Sequence, residues 1–138
     1  MNEKTNYYIS EDFSEDFYIY LAYYGFICTS TTLQDKFYLL AEMQFEYAIL
    51  DFKDLHISKK IAKLIKKDEY TFSINTKFEE VINNLENYHK TNWVEDKYKN
   101  LLISLQNYEI QNIDFKIISV ELCDKNTKEL IAGEIGYK

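Results

Sequence analysis

Five lysines, Lys59, Lys60, Lys63, Lys66 and Lys67, fall within nine residues of a chain whose net charge is −7. Placed on one face of a helix, they could hold a phosphate backbone through a strongly salt-dependent attraction. The competing reading is a solvated helix face, with lysines favoured near the C-terminus by the helix dipole. Trp93, the only tryptophan, sits in "KTNWVEDKY" between two helical patterns. A base or a ligand ring could stack on it, or it could be an apolar anchor between helices. Glu121 and Glu134 stand inside otherwise apolar stretches near the end of the chain. A carboxylate facing a cleft could act as a base or bind an amino group. On alternating strands, both would simply face water.

Other chemistry finds little support. His56 and His89 lack metal-ligand spacing, so no metal site is expected. Cys28 and Cys123 form no CxxC pair and read as two buried thiols. The three glycines, at 25, 133 and 136, make neither a P-loop nor a dinucleotide fingerprint. All 16 basic residues are lysine, so no arginine fork is present for a phosphate or carboxylate. The acidic balance opposes nucleic acid unless a local basic patch overrides the mean.

The elements that must position these residues follow from periodicity and end signals. Ser14, Glu15 and Asp16 start a helix that Gly25 ends. Phe37 to Leu40 and Phe45 to Leu50 read as strands. Ile57, Ile61, Leu64 and Ile65 form one apolar stripe of a helix from His56 to Lys67. Tyr70 to Ile74 alternates as a short strand. Phe78, Val81, Ile82 and Leu85 mark one helix, and Tyr98, Leu101, Leu102 and Leu105 mark another. Ile113 to Leu122 and Leu130 to Tyr137 then form a hairpin across Lys125, Asn126 and Thr127. Helices mixed with an antiparallel sheet make an α+β fold. A closing hairpin with one apolar face needs further strands or a helix, so the sheet reads as unfinished. No run reaches membrane-spanning length and the start lacks a signal-peptide pattern, so a cytoplasmic protein is expected.

Three stretches, taken in order, resemble leucyl/phenylalanyl-tRNA–protein transferase. "FYIYLAYYGFI" is similar to that family's early helix with its "AYxxGxFP" signature. The stretch from "LHISKKIAKLIKK" through "KTNWVEDKYKNLLISL" is similar to its "LHxS" basic helix, strand, "F..VI" helix and "TWI" segment. "IISVELCDKNTKELIAGEIGYK" is similar to "HSxE" and the following "LvGGlYG" hairpin. The resemblance runs from about residue 7 to residue 138.

It implies a GNAT-like (acyl-CoA N-acyltransferase-like) mixed sheet with flanking helices, incomplete at the C-terminus. The division would be a small N-terminal α/β region, 1–54, and the first part of the catalytic domain, 55–138. It also implies transfer of Leu or Phe from aminoacyl-tRNA to an acceptor protein bearing a basic N-terminal residue, as in an N-degron pathway. No cofactor is implied. Trp93 would line the active-site region, Glu121 would match the "HSxE" glutamate, and the five lysines would match the tRNA-contacting helix. The departures are specific. "LLAEMQFEYA" stands where the family has "WWSPDPR", Phe26 is followed by Ile27 rather than proline, and Gly133 by Glu134 rather than a second glycine. The family's "GES" and "DCQ" segments would lie past Lys138. Two other readings remain open: a non-catalytic module pairing its open sheet edge with another copy or chain, and a GNAT-type small-molecule acetyltransferase.

Overall fold

The computed structural model describes residues 6–46, 48–88 and 93–138, so His89, Asn92 and Tyr47 lie outside it. The described residues form two three-stranded antiparallel sheets and four α-helices. In chain order these are β1 (Tyr7–Ser10), α1 (Glu15–Tyr23), β2 (Phe26–Leu33), β3 (Lys36–Met43), α2 (Lys59–Lys67), β4 (Tyr70–Ile74), α3 (Phe78–Tyr88), α4 (Asp96–Ser104), β5 (Ile117–Asp124) and β6 (Leu130–Tyr137). The first sheet runs β1-β3-β2 and the second β4-β5-β6.

The α+β expectation holds, as two sheets rather than one mixed sheet. α1 ends where expected, with Gly25 at φ 88°, a left-handed position that suits a residue without Cβ. β1 and β2 were not expected from the sequence. β2, FICTSTTL, is rich in Thr and Ser rather than large apolar residues, yet β-branched threonine fits a pleated strand. Its hairpin to β3 turns on Gln34 and Asp35, both at positive φ, the backbone of a type I′ turn.

Among the described residues, no strand forms from Phe45 to Leu50. Phe45, Ile49 and Leu50 are exposed, and β3 stops at Met43. Aromatic and branched residues favour a strand only where a neighbour pairs with it. α2 starts three residues later than expected, because the Ser58 side chain accepts the Ile61 N–H and sets the first turn. β5 starts at Ile117 rather than Ile113.

The main core joins both sheets. Tyr18 and Ile19 of α1, Cys28 of β2, and Leu39 and Ala41 of β3 cluster with Phe78 and Ile82 of α3, Tyr98, Leu101 and Leu102 of α4, and Ile117 of β5. Ile19, Leu39 and Ile82 are fully buried, each contributing about 1.5–3 kcal/mol from removal of apolar surface. The Tyr98 hydroxyl donates to the Cys28 carbonyl at 2.6 Å, tying α4 to β2. Burial pushes the Cys28 thiol up to about 12, so it stays protonated and inert.

Candidate functional site

Sheet β4-β5-β6 has two unlike faces. The strand register pairs Phe72 with Leu122 and Leu122 with Ala132; beside them Ile74 pairs with Val120 and Val120 with Glu134. Since side chains alternate along a strand, these residues share one face. That face is open: Phe72, Ile74 and Leu122 are exposed. A shallow hollow of about 200 Å³ is lined there by Phe72, Val120, Leu122, Ala132 and Glu134. Glu134 is thus an accessible carboxylate at the rim of an apolar surface.

Glu121 lies on the opposite face, which α3 covers. It is 1% exposed. Its carboxylate accepts from the Ser73 hydroxyl at 2.6 Å, from the Ser119 hydroxyl, and from the Thr76 and Lys77 N–H groups, each at 3.4 Å. Thr76 and Lys77 directly precede α3, so Glu121 supplies an acceptor to helix-start donors that would otherwise be unsatisfied. Burial acts to raise its pKa, but the hydrogen bonds from Ser119, Ser73, Lys77 and Thr76 together outweigh it. The carboxyl is held below its usual range, and therefore ionised. Asn75 completes the fastening: its side chain accepts the Ser119 N–H at 2.8 Å, and its own N–H donates to the Ser119 carbonyl at 3.1 Å. The two carboxylates therefore stand on neighbouring strands but do not meet. One is fully committed to structure and the other faces solvent.

On the covered face Gly133 lies against Val81 of α3. A Cβ at this glycine would come within 2.6 Å of a Val81 methyl, so only glycine admits this approach. Between α3 and β6 runs a groove of about 680 Å³, with Val81, Leu85, Leu130 and Gly133 as its apolar lining and Asn84 and Asn87 beside them.

Trp93 is placed by the first sheet, not by the second. Its carbonyl accepts both the N–H and the hydroxyl of Ser30 on β2. The indole packs 6.1 Å from the Tyr98 ring and remains 38% exposed. One part of the ring thus packs on Tyr98 while the rest stays exposed.

The five lysines share α2, which buries none of its residues. Lys67 pairs loosely with Glu69 at 3.6 Å; among the described residues, Lys59, Lys60, Lys63 and Lys66 form no ion pair. Of the stripe of Ile57, Ile61, Leu64 and Ile65, the three isoleucines are exposed and Leu64 is half-buried. Periodicity foresaw the helix but not how much of its apolar stripe stays exposed. Among the described residues no group of three His, Cys, Asp or Glu side chains could hold a metal, and no helix is long and apolar enough to cross a membrane.

The fastening of β5 to α3 uses Ser119 and Glu121, which stand at the serine and glutamate of the "HSxE"-like stretch. None of the curated proteins compared matches the chain. The sequence model of leucyl/phenylalanyl-tRNA protein transferase matches residues 49–138, more than half of the chain and all of α2 to β6. On that match the chain belongs to the leucyl/phenylalanyl-tRNA protein transferase family.

Proposed function

We propose that the chain takes part in moving Leu or Phe from aminoacyl-tRNA to the N-terminal amino group of an acceptor protein with a basic first residue. The tagged protein would enter an N-degron pathway in the cytoplasm. The reaction is aminolysis of an ester. The amine nitrogen attacks the carbonyl carbon, the C–O bond to the tRNA ribose breaks, an amide forms, and the amine proton passes to the leaving hydroxyl. No cofactor is needed for that balance.

The observation that carries this reading is the division of labour on one small sheet. The open apolar face bears the exposed carboxylate of Glu134, while Glu121 is occupied as a fastener. An apolar aminoacyl side chain fits beside Phe72, Leu122 and Ala132. Glu134 would hold or deprotonate the incoming amine, which must be neutral to attack. The lysines of α2 would contact the tRNA backbone, and the exposed edge of the Trp93 indole would receive a base or the aminoacyl end. Sheet β4-β5-β6 is read as the beginning of a GNAT-like central sheet in a catalytic domain starting near residue 55, after the small region 1–54.

The test is binding of phenylalanyl-tRNA over a salt series. Affinity should fall steeply from 50 to 200 mM salt, as counterion release requires. Changing Lys59, Lys60 and Lys63 together to Glu should weaken binding by at least about tenfold and flatten the salt slope. Unchanged binding by this variant would overturn the assignment of the lysine face. A transfer assay with a radiolabelled Phe-tRNA and a peptide beginning with lysine then tests the reaction itself.

A further inference from the structure

The edge of β2 that turns away from β3 is where the first sheet takes hold of later parts of the chain. The Ser30 N–H donates to the Trp93 carbonyl at 3.3 Å, and so points away from β3. Backbone groups along an antiparallel strand alternate between facing the partner strand and facing away. Phe26, Cys28 and Thr32 therefore present theirs on the same side as Ser30. Contacts line this edge. The Tyr137 hydroxyl donates to the Phe26 carbonyl at 3.0 Å, and the Tyr98 hydroxyl to the Cys28 carbonyl at 2.6 Å. The Ser30 hydroxyl donates to the Trp93 carbonyl and accepts the Glu95 N–H at 3.3 Å. The Thr32 hydroxyl donates to the Glu95 carboxylate.

Most of these contacts converge on Trp93. Its carbonyl takes two hydrogen bonds from one serine, which fixes the peptide that follows the indole. The Tyr98 ring on which the indole packs is itself held by Cys28, the neighbouring outward-facing residue of the strand. Glu95 is the N-cap of α4, yet its side chain makes no cap bond to the helix and reaches Thr32 instead. An apolar anchor needs none of this, since burial alone would hold it. Here several polar contacts fix a ring that stays 38% exposed, as expected of a side chain preorganised for a flat ligand. The strand that does the holding lies outside residues 49–138, the stretch that matches the family.

We propose that the outer edge of β2 positions Trp93 for the aminoacyl-bearing end of the tRNA. Ser30 and Thr32 are the positioning residues, and the indole is the surface on which a ring of that end stacks. This assignment rests on the reading of the chain as a transferase that uses aminoacyl-tRNA. The first sheet then governs how the charged end is seated, while the lysines of α2 govern how strongly the tRNA backbone is attracted.

The probes are phenylalanyl-tRNA, the same tRNA uncharged, and the same tRNA trimmed of the nucleotide that carries the amino acid. Each is titrated into the full chain, with binding read by anisotropy of a label on the tRNA and by the emission of Trp93, the only tryptophan. Phenylalanyl-tRNA should bind more tightly than trimmed tRNA and quench Trp93, whose emission trimmed tRNA leaves unchanged. Trp93→Ala should reduce that advantage by about fivefold or more, the contribution of one stacked ring. Ser30→Ala should lose most of the same advantage. Thr32→Val, at an exposed position where it keeps a β-branched residue on the strand, should lose a smaller part and carries the test should Ser30→Ala fail to fold. Affinity for trimmed tRNA should stay unchanged in all three variants. Ile82→Val, which removes a buried methylene from α3, should leave the advantage intact, whereas a merely structural role for Ser30 would make these two variants behave alike. Uncharged tRNA that matches phenylalanyl-tRNA would assign the stacked ring to the terminal base, and one that matches trimmed tRNA to the aminoacyl group; either supports the proposal. An advantage undiminished in Ser30→Ala and Thr32→Val would overturn it and leave tRNA binding in place. Failure of the parent to bind any of the tRNAs would instead overturn the transferase reading, and this inference with it.

Discussion

Glu121 and Glu134 lie on paired strands, yet their side chains leave the sheet on opposite faces, because Glu121 is in register with Gly133 and Glu134 with Val120. One residue of register separates a buried fastener from an accessible carboxylate. Two glutamates that look alike in sequence thus have opposite sensitivities to substitution, and each can be tested without disturbing the other's face.

Replacing Glu121 by Ala leaves the hydroxyls of Ser73 and Ser119 and the N–H groups of Thr76 and Lys77 without their acceptor. Unsatisfied buried donors cost about 1–3 kcal/mol each where water cannot replace the lost partner. Glu121→Ala should therefore lower the unfolding free energy by at least about 3 kcal/mol, measured by urea denaturation. Glu134→Ala, at an exposed position, should stay within about 0.5 kcal/mol of the parent. A stable Glu121→Ala protein would show that the fastening contributes little.

The same carboxylate predicts a pH dependence. Its folded value is depressed relative to the unfolded chain. The stabilisation it contributes is therefore fully present above the unfolded value, about 4.3, and is lost as pH falls through the lower folded value. Thermal midpoints should decline with acidification in that window, and the decline should be shallower in Glu121→Gln. Parallel profiles for the two proteins would assign the acid sensitivity to other carboxylates.

Trp93 offers a direct probe of the link to β2. Its carbonyl accepts from Ser30, whose hydroxyl oxygen also accepts the Glu95 N–H at 3.3 Å, and Ser30 is nearly fully buried. Ser30→Ala removes the hydroxyl and leaves the Glu95 N–H without that acceptor. A loss of about 1–2 kcal/mol is expected, with a red shift of the tryptophan emission as the indole loosens from Tyr98. An unshifted spectrum with unchanged stability would show that packing alone holds Trp93.

Much of this arrangement was legible in the residues, and the failures have physical causes. The stripes of α3 and α4 predicted buried faces, and Val81, Ile82, Leu101 and Leu102 are buried. The ends of β4 and β6 fell where the alternating patterns placed them. The stripe of α2 predicted its helix equally well, but a stripe does not reveal whether a partner covers it, and Ile61 and Ile65 remain exposed. β2 escaped notice because Thr29, Thr31 and Thr32 carry β preference without hydrophobicity. The role of Glu121 was hidden for another reason. A glutamate among apolar strand residues reads as outward-facing, and its four donors come from Ser73, Thr76, Lys77 and Ser119, three of them more than forty residues away in sequence.

Gly133 and Val81 set the spacing between β6 and α3, and this contact admits a two-sided test. A methyl at position 133 would meet one Val81 methyl at 2.6 Å and the other at 2.9 Å. Both belong to a short, stiff side chain that is 1% exposed, so neither can swing aside. Gly133→Ala should cost about 1–3 kcal/mol through overpacking. Val81→Ala alone should also destabilise, since it removes buried methyl groups and leaves a void. The double variant should be more stable than the sum of the two losses predicts, by at least about 0.5 kcal/mol, because the new methyl occupies space the valine has vacated. Such positive coupling in a double-mutant cycle would confirm that the two residues meet as described. Strict additivity would mean that β6 relaxes away from α3, and that the groove beside them is set by other contacts.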